Sequence, residues 1–461
     1  MKKALALVLA LALGATMLAS CGEKPASSAA PSVPASTPAS KSEAAPAAKP
    51  VDLRVVTSYG GDDGNRVNYE NAFKAYEKAT GNTVVDESAT SNEEWKARVM
   101  ADFQTGSEPD VLFYFTGVDA NEIVKNGKVV SLETIRKEYP EYAGNMKDGM
   151  LPASPADMKQ YAIPVNGYWE GMFVNKNVLK ACDLEVPTKD TTWEQFMTMC
   201  KTIKDKGYTP IACSLQEVPH YWFEFCVMNQ GSTSKHVEVP ASSTDAAGKR
   251  WVSGLDQIKA MYEAGCFPKN TLTAGDADTF QLMADDKAAF AIDGSWKVGW
   301  FAGSKDAEGK DVPGNVKNLD DYTVTYVPGM GERKSTDIVA GLSMGYYITQ
   351  KAWDDPAKRD AAVKFVQAMT TDDVINTFAA GTPTALKAGM PAPKDANSMQ
   401  LAAIEMVNNA TGSAPAVQDS INPTARGVLW TSIKDIVTGK QETAKALDAA
   451  LATEFVAEAK K

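Results

Sequence analysis

The sequence predicts an α/β fold built on a parallel sheet. Between residues 52 and 115, β-rich runs of period two alternate with stretches of helical period, in the order strand, helix, strand, helix, strand. The last strand, Asp110-Val111-Leu112-Phe113-Tyr114-Phe115, is apolar on both faces, as a strand covered by helices on both sides requires. Composition agrees: of 461 residues, 44% are hydrophobic and 23% charged, enough apolar material for a large core.

Asp52 to Thr57 alternates and is rich in β-formers; it runs into the turn-rich loop Ser58-Tyr59-Gly60-Gly61-Asp62-Asp63-Gly64. A helix follows, with Tyr69, Phe73 and Tyr76 on one side and Gly81 as its stop. Thr83-Val84-Val85 is a second strand and Glu93 to Phe103 a second helix. Parallel sheets bind ligands beyond the carboxyl ends of their strands, which nominates the loops 58–64 and 115–119. Further on, Tyr161 to Asn166 is strand-like, and the segment Gly167 to Lys176 follows it. Thr191-Thr192-Trp193-Glu194-Gln195 opens a helix with a Thr cap and with Glu and Gln in its first turn. Lys287 to Ile292 is a short buried strand ending at Asp293-Gly294-Ser295-Trp296, and Ala340 to Ile348 is a glycine-punctuated strand. Pro356 to Met369 is an amphipathic helix, and the tail holds two more, Ala425–Thr438 and Glu442–Ala459. No internal repeat is present.

Charge and rare residues exclude several functions. The net charge is −11, from 47 Lys+Arg against 58 Asp+Glu, which disfavours nucleic acid as a partner. The two histidines, His220 and His236, cannot make a His-rich metal site. No metal and no cofactor is expected. Five cysteines follow Cys21, an odd number without a Cys-x-x-Cys pair. They read as small buried apolar residues, with a single bridge left open and a disulfide framework excluded by the size of the body.

The first twenty residues read as a secretory signal peptide: a Lys2-Lys3 start, an apolar run from Ala4 to Leu13, and small residues before a cut. Leu18-Ala19-Ser20-Cys21 resembles the lipobox of bacterial lipoproteins, which implies cleavage before Cys21 and a lipid on that cysteine. Removal of residues 1–20 takes Lys2 and Lys3 with it and moves the charge from −11 to −13. Residues 21–50, after the cysteine mostly Ala, Pro and Ser, cannot bury enough surface to order themselves and form a tether. The lipid would then hold the protein on the outer face of the cell membrane without a spanning segment.

In this order, the segments resemble the extracellular solute-binding proteins of ATP-driven (ABC) importers, in particular the sugar-binding group that includes the maltose-binding protein. The resemblance is carried by Tyr161-Ala162-Ile163-Pro164-Val165 leading to Phe173-Val174-Asn175-Lys176, by Lys287–Phe290 leading to Gly294-Ser295-Trp296, and by Gly439-Lys440-Gln441-Glu442-Thr443 before an Ala/Leu helix. It implies a two-lobed, periplasmic-binding-protein-like α/β fold with a hinged ligand cleft. The chain would cross between lobes near 164–168, 338–344 and 381–384. Lobe one would comprise 51–165 plus 342–381, and lobe two 166–341 plus 382–461, with Gly341 and Gly381 absorbing the hinge rotation. The protein would be a monomer that binds a sugar or oligosaccharide and delivers it to a membrane permease.

A sugar presents hydroxyls and an apolar ring face, so its site needs flat aromatic rings beside polar groups that pair the hydroxyls. The resemblance places a stacking aromatic at Trp296, beside Asp293; the alternative is a core tryptophan. Ser214 to Phe223 is the densest aromatic cluster and resembles the Gln-Glu-Pro-aromatic segment of the maltose-binding protein. It departs from that segment by Val218 before Pro219 and His220 after it, which leaves open which ring meets the sugar. Tyr221 and Trp222 are the candidates. Glu217 is either a hydroxyl acceptor or a solvated Glu, and His220 either a donor or structural. Tyr59 with Asp62 or Asp63 in the first loop, Thr116 with Asp119 in the second, and Tyr168 and Trp169 after a crossing complete the aromatic and polar set, each against a packing or solvated alternative. Arg426 falls near where the family's C-terminal helix presents an aromatic, and it would fork onto two hydroxyls or a carboxylate; Trp430, one turn later, serves or packs. Two other functions remain open: a secreted glycosidase, which needs paired carboxylates that no motif fixes, and a sugar-sensing partner of a membrane receptor.

Overall fold

A computed structural model describes residues 49–61, 63–305, 310–379, 381–388 and 396–453. The expected signal peptide, Cys21, most of the expected tether, Asp62 and residues 454–461, within the expected helix Glu442–Ala459, lie outside the described residues. The strands are β1 Asp52–Val56, β2 Thr83–Asp86, β3 Val111–Phe115, β4 Tyr168–Asn175, β5 Thr209–Ile211, β6 Ala288–Gly294, β7 Ser304–Lys305, β8 Asp311–Val312, β9 Tyr322–Thr325, β10 Asp337–Gly341, β11 Met344–Ile348 and β12 Gly412–Ala414.

The first sheet has the order β11-β3-β1-β2, with β1 parallel to β2 and β3 and with β11 antiparallel to β3. The inner strand β3 is apolar on both faces because both are covered. Val111 and Phe113 enter one core with Leu53 and Val55, while Leu112 and Tyr114 enter another with Val56 and Trp95. Helix Arg66–Thr80 buries Tyr69, Phe73 and Tyr76 against the first of these cores and ends where Gly81, at φ 76°, turns its N–H back to Glu77. Helix Glu93–Thr105 starts on Asn92, which accepts the Trp95 N–H.

The second sheet has the order β12-β10-β4-β6-β5, with β9 also paired to β4. β4 runs antiparallel to β6, β9 and β10. Both sheets are therefore mixed, not the purely parallel sheet expected, because β11 in the first and β4 in the second run against their neighbours. β4 is buried along its whole length. One face packs against Phe196, Trp222 and Trp251, the other against Phe280, Met283 and Met399. Helix Trp193–Asp205 opens with a full capping box: Thr192 accepts the Gln195 N–H and the Gln195 side chain accepts the Thr192 N–H.

Two other expectations change. The glycine-punctuated run 340–348 is two strands in two sheets, β10 and β11, joined by Leu342-Ser343. The run 161–166 forms no strand; Ile163 makes one bridge to Tyr346, and a methyl on Gly345 would press on the Ile163 backbone at 2.9 Å. The chain also stays with the first sheet past Gly381. Ala385 and Leu386 join that core, and the N–H groups of Lys147 and Lys387 donate to Ala385 and Asn145, each at 2.9 Å. Cys182, Cys200, Cys213, Cys226 and Cys266 are all buried and free. Among the described residues no helix is long and apolar enough to cross a membrane, and no group of His, Cys, Asp and Glu could hold a metal.

Candidate ligand cleft

The loops beyond β1 and β3 meet the second sheet's side of the molecule backbone to backbone. A methyl on Gly64 would collide with the Trp296 carbonyl oxygen and crowd Gly299, and a methyl on Gly117 would stand 2.7 Å from the Asp419 carbonyl oxygen. Only glycine permits both approaches. The surface opposite these loops is the Trp296–Gly299 segment after β6 and the Val417–Ser420 turn.

Aromatic rings gather behind this seam. The Trp296 ring centroid lies 6.4 Å from Tyr168 and 6.2 Å from Tyr221; His220 lies 4.2 Å from Tyr221 and 6.4 Å from Trp430. Tyr168 opens β4, and its hydroxyl accepts the Ala416 N–H at 2.8 Å. Tyr221 and His220 stand in the first turn of helix Pro219–Met228, where proline costs no hydrogen bond. The Trp296 indole folds back over Gly294, where any side chain would collide with it. Tyr168 and Tyr221 are almost covered, whereas Trp296 is half-buried.

Carboxylates gather beside the same rings. Asp293, at the end of β6, accepts the Gly294 N–H at 2.7 Å and is within hydrogen-bonding reach of the Tyr221 hydroxyl and the Trp296 indole. Glu170 is the second residue after Tyr168 on β4, hence on the same face; it is 2% exposed and its Oε2 has no partner. Asp63 accepts the Asn65 N–H at 2.8 Å. Asp419 sits in the Val417–Ser420 turn, which buried Glu224 fixes by accepting the Val417 and Gln418 N–H groups at 2.8 and 3.0 Å, with His236 Nε2 at 2.5 Å behind it. Burial pushes Asp63, Asp293 and Asp419 each up to about 7, and burial with the neighbouring acids raises Glu170 well above the carboxylate range. Lys297 lies 3.1 Å from Asp276 and 3.7 Å from Asp293. Burial, with Lys96 and Arg426 nearby, lowers His220 to about 3, so its imidazole is neutral at pH 7.

Arg426 takes a different place from the one expected. It is fully buried, and its guanidinium lies 2.6 Å from Asp119 and 3.1 Å from Glu93, residues of the first sheet's helices and loops. It also donates to the Gln418 and Ile421 carbonyls. Lys96 completes the cluster at 3.1 Å from Glu93 and 3.2 Å from Asp119. Both terminal nitrogens of the guanidinium donate within the protein, so Arg426 joins the two sides of the seam.

Several other sequence candidates pack or cap. Tyr59 stacks on Phe113 at 4.7 Å inside the first sheet's core. Trp169 faces the opposite side of β4 from Tyr168, beside Phe173, because consecutive strand residues alternate. Trp222 lies in the core, stacked on Phe196. Glu217 is exposed and caps helix Asp276–Ala284 by accepting the Asp276 N–H at 2.7 Å. Thr116 donates its hydroxyl to the Ser343 carbonyl at 3.1 Å, tying its loop to the Gly341–Met344 crossing. The structure therefore brings together Asp63, Tyr168, Tyr221, Asp293 and Trp296, and adds Glu170, Asp419 and Lys297. Glu170 was open to detection as the one acid inside an apolar eight-residue strand; Asp419 carries no local signal.

Solved structures share this fold. A chitin oligosaccharide binding protein is 19% identical, with TM-score 0.72 over 88% of this chain and 98% of its own. Maltose-bound MalE3 of T. maritima is 16% identical, with TM-score 0.66 over 87% and 98%. The multiple sugar-binding protein of Streptococcus mutans is 24% identical over 211 residues, 44% of this chain; the match spans about half, 47%, of that relative. The sequence profile of bacterial extracellular solute-binding proteins matches residues 71–398, and the chain belongs to that family.

Proposed function

We propose that the protein captures a carbohydrate between two lobes and delivers it to an ABC import permease. The observation that carries this is the set of rings Tyr168, Tyr221 and Trp296 beside Asp293 and Glu170, where the loops of the two sheets meet. Rings of this kind cover a sugar's apolar face, and the carboxyl groups pair its hydroxyls. Sugar-binding relatives in the same family support the reading. The lobes would be 51–165 plus 342 to about 387, and 166–341 plus the remainder, with Gly341 at a crossing. A ligand touching both would shift the population toward the closed form. The protein would act as a monomer, bind without turnover, and be held at the cell surface by a lipid on Cys21.

The test is calorimetric titration of the mature protein with a panel of mono- and oligosaccharides, followed by chromatography of the sugar. One-to-one binding with the sugar recovered intact supports the reading. Cleavage of the sugar, or no heat and no melting shift from any carbohydrate, contradicts it. Cys21→Ser is expected to move the protein from the membrane fraction to the medium.

A further inference from the structure

We infer that the cleft is built for a carbohydrate that carries an amine, a basic amino sugar in preference to a neutral one; this deepens the carbohydrate reading above and rests on it. The charge balance around the rings carries this inference. Among the described residues, the cations near the rings are committed within the protein. Arg66 lies 2.7 Å from both Glu70 and Asp86. Lys96 and Arg426 share Glu93 and Asp119. Lys297 serves Asp276 and Asp293. His220 is held neutral. What remains is acidic. Glu170 faces Glu224, Asp293 and Asp419, and its buried Oε2 has no donor. Asp419 faces Lys96, Asp119, Arg426 and Glu224 without a hydrogen bond or ion pair to any of them. Asp63 faces Lys297 and Arg66 and has a backbone donor.

A buried carboxylate without a counter-charge stays protonated or waits for a cation. A neutral sugar supplies hydroxyl donors but leaves the excess of acid uncompensated. An ammonium group on the ring compensates Glu170 and a neighbour together, and the faces of Tyr168, Tyr221 and Trp296 attract a cation as well as a sugar ring.

Matched pairs test this: glucosamine oligomers and N-acetylglucosamine oligomers of equal length, and the galactosamine pair, titrated calorimetrically at pH 7.5. The amine form is expected to bind at least about tenfold tighter, the usual scale of one charged hydrogen bond. Equal or tighter binding of the acetylated form overturns the inference and leaves the carbohydrate reading standing. So does binding of a neutral sugar from the wider panel when neither amine series binds; failure of every carbohydrate overturns both. Glu170→Gln is expected to lower amine affinity by about tenfold or more, and Asp419→Asn does the same if Glu170→Gln fails to fold. Undiminished amine affinity in a variant that melts like the parent also overturns it. Amine binding is further expected to release protons and to weaken as pH falls below 7, because Asp63, Asp293 and Asp419 then hold protons the ligand must displace.

Discussion

Two acidic clusters stand side by side in this cleft and behave in opposite ways. Asp119 and Glu93 are closed off by Arg426 and Lys96, and the two cations hold Asp119 below the usual carboxylate range although it is buried. Asp293 and Glu170 are as buried as Asp119 and Asp419 is partly buried, but these three lack sufficient cations, and all three are raised. Asp119 and Asp293 are buried alike, at 4% and 1% exposure; the supply of counter-charge differs. A compensated cluster can only join the two sides of the seam. An uncompensated one is costly in the free protein and has something to gain from a ligand.

The largest expected effect comes from breaking the compensated cluster. Arg426→Met leaves Asp119 and Glu93 facing Lys96 alone, and is expected to cost about 3–5 kcal/mol of stability in a urea melt. A loss below about 1 kcal/mol would mean the guanidinium is not the structural partner its distances indicate. Next is Trp296→Ala, expected to weaken carbohydrate binding by about 1–3 kcal/mol in calorimetry, with the fold kept; unchanged affinity removes the ring from the site.

A pH series sharpens the contrast without mutation. Asp63, Asp293 and Asp419 keep their protons up to about 7 in the folded protein but ionise near the ordinary value when unfolded. Their contribution to stability is therefore full at low pH and is lost as pH rises through about 7. Asp119, whose value is lowered, contributes in the other sense: its stabilisation is present above the ordinary value and lost as pH falls. The ligand-free melting temperature is expected to fall between pH 6 and 8; a flat or rising profile would contradict the uncompensated assignment. The smallest effect belongs to Glu217→Ala, which removes the acceptor at the start of helix Asp276–Ala284 and is expected to cost about 1 kcal/mol of stability or less, with carbohydrate affinity unchanged.

The sequence made the helices legible because their signals are local: Gly81 ends the first one and Thr192 with Gln195 opens another. Strand pairing was less legible. Antiparallel and parallel partners follow the same period, so nothing in Lys287–Ile292 announced that its neighbour runs the other way. The split of 340–348 into two sheets depends on where Ser343 meets Thr116, a contact 227 residues distant in the chain. In the cleft, composition nominated the aromatic segments, but parity decided within them: Tyr168 faces the rings and Trp169 the opposite core. Arg426 was visible as a charge in an apolar helix; its partners Glu93 and Asp119 come from the other sheet's segments, so its role could only be read in three dimensions.

Asp293→Asn tests the distinction between the two clusters most directly, because it removes a charge and keeps the shape. Binding of a carbohydrate that the parent binds and the melting temperature are measured on the same sample. Weakened binding with a melting temperature held or raised is expected. Full affinity with a lowered melting temperature would place Asp293 with Asp119, among the groups that hold the fold together.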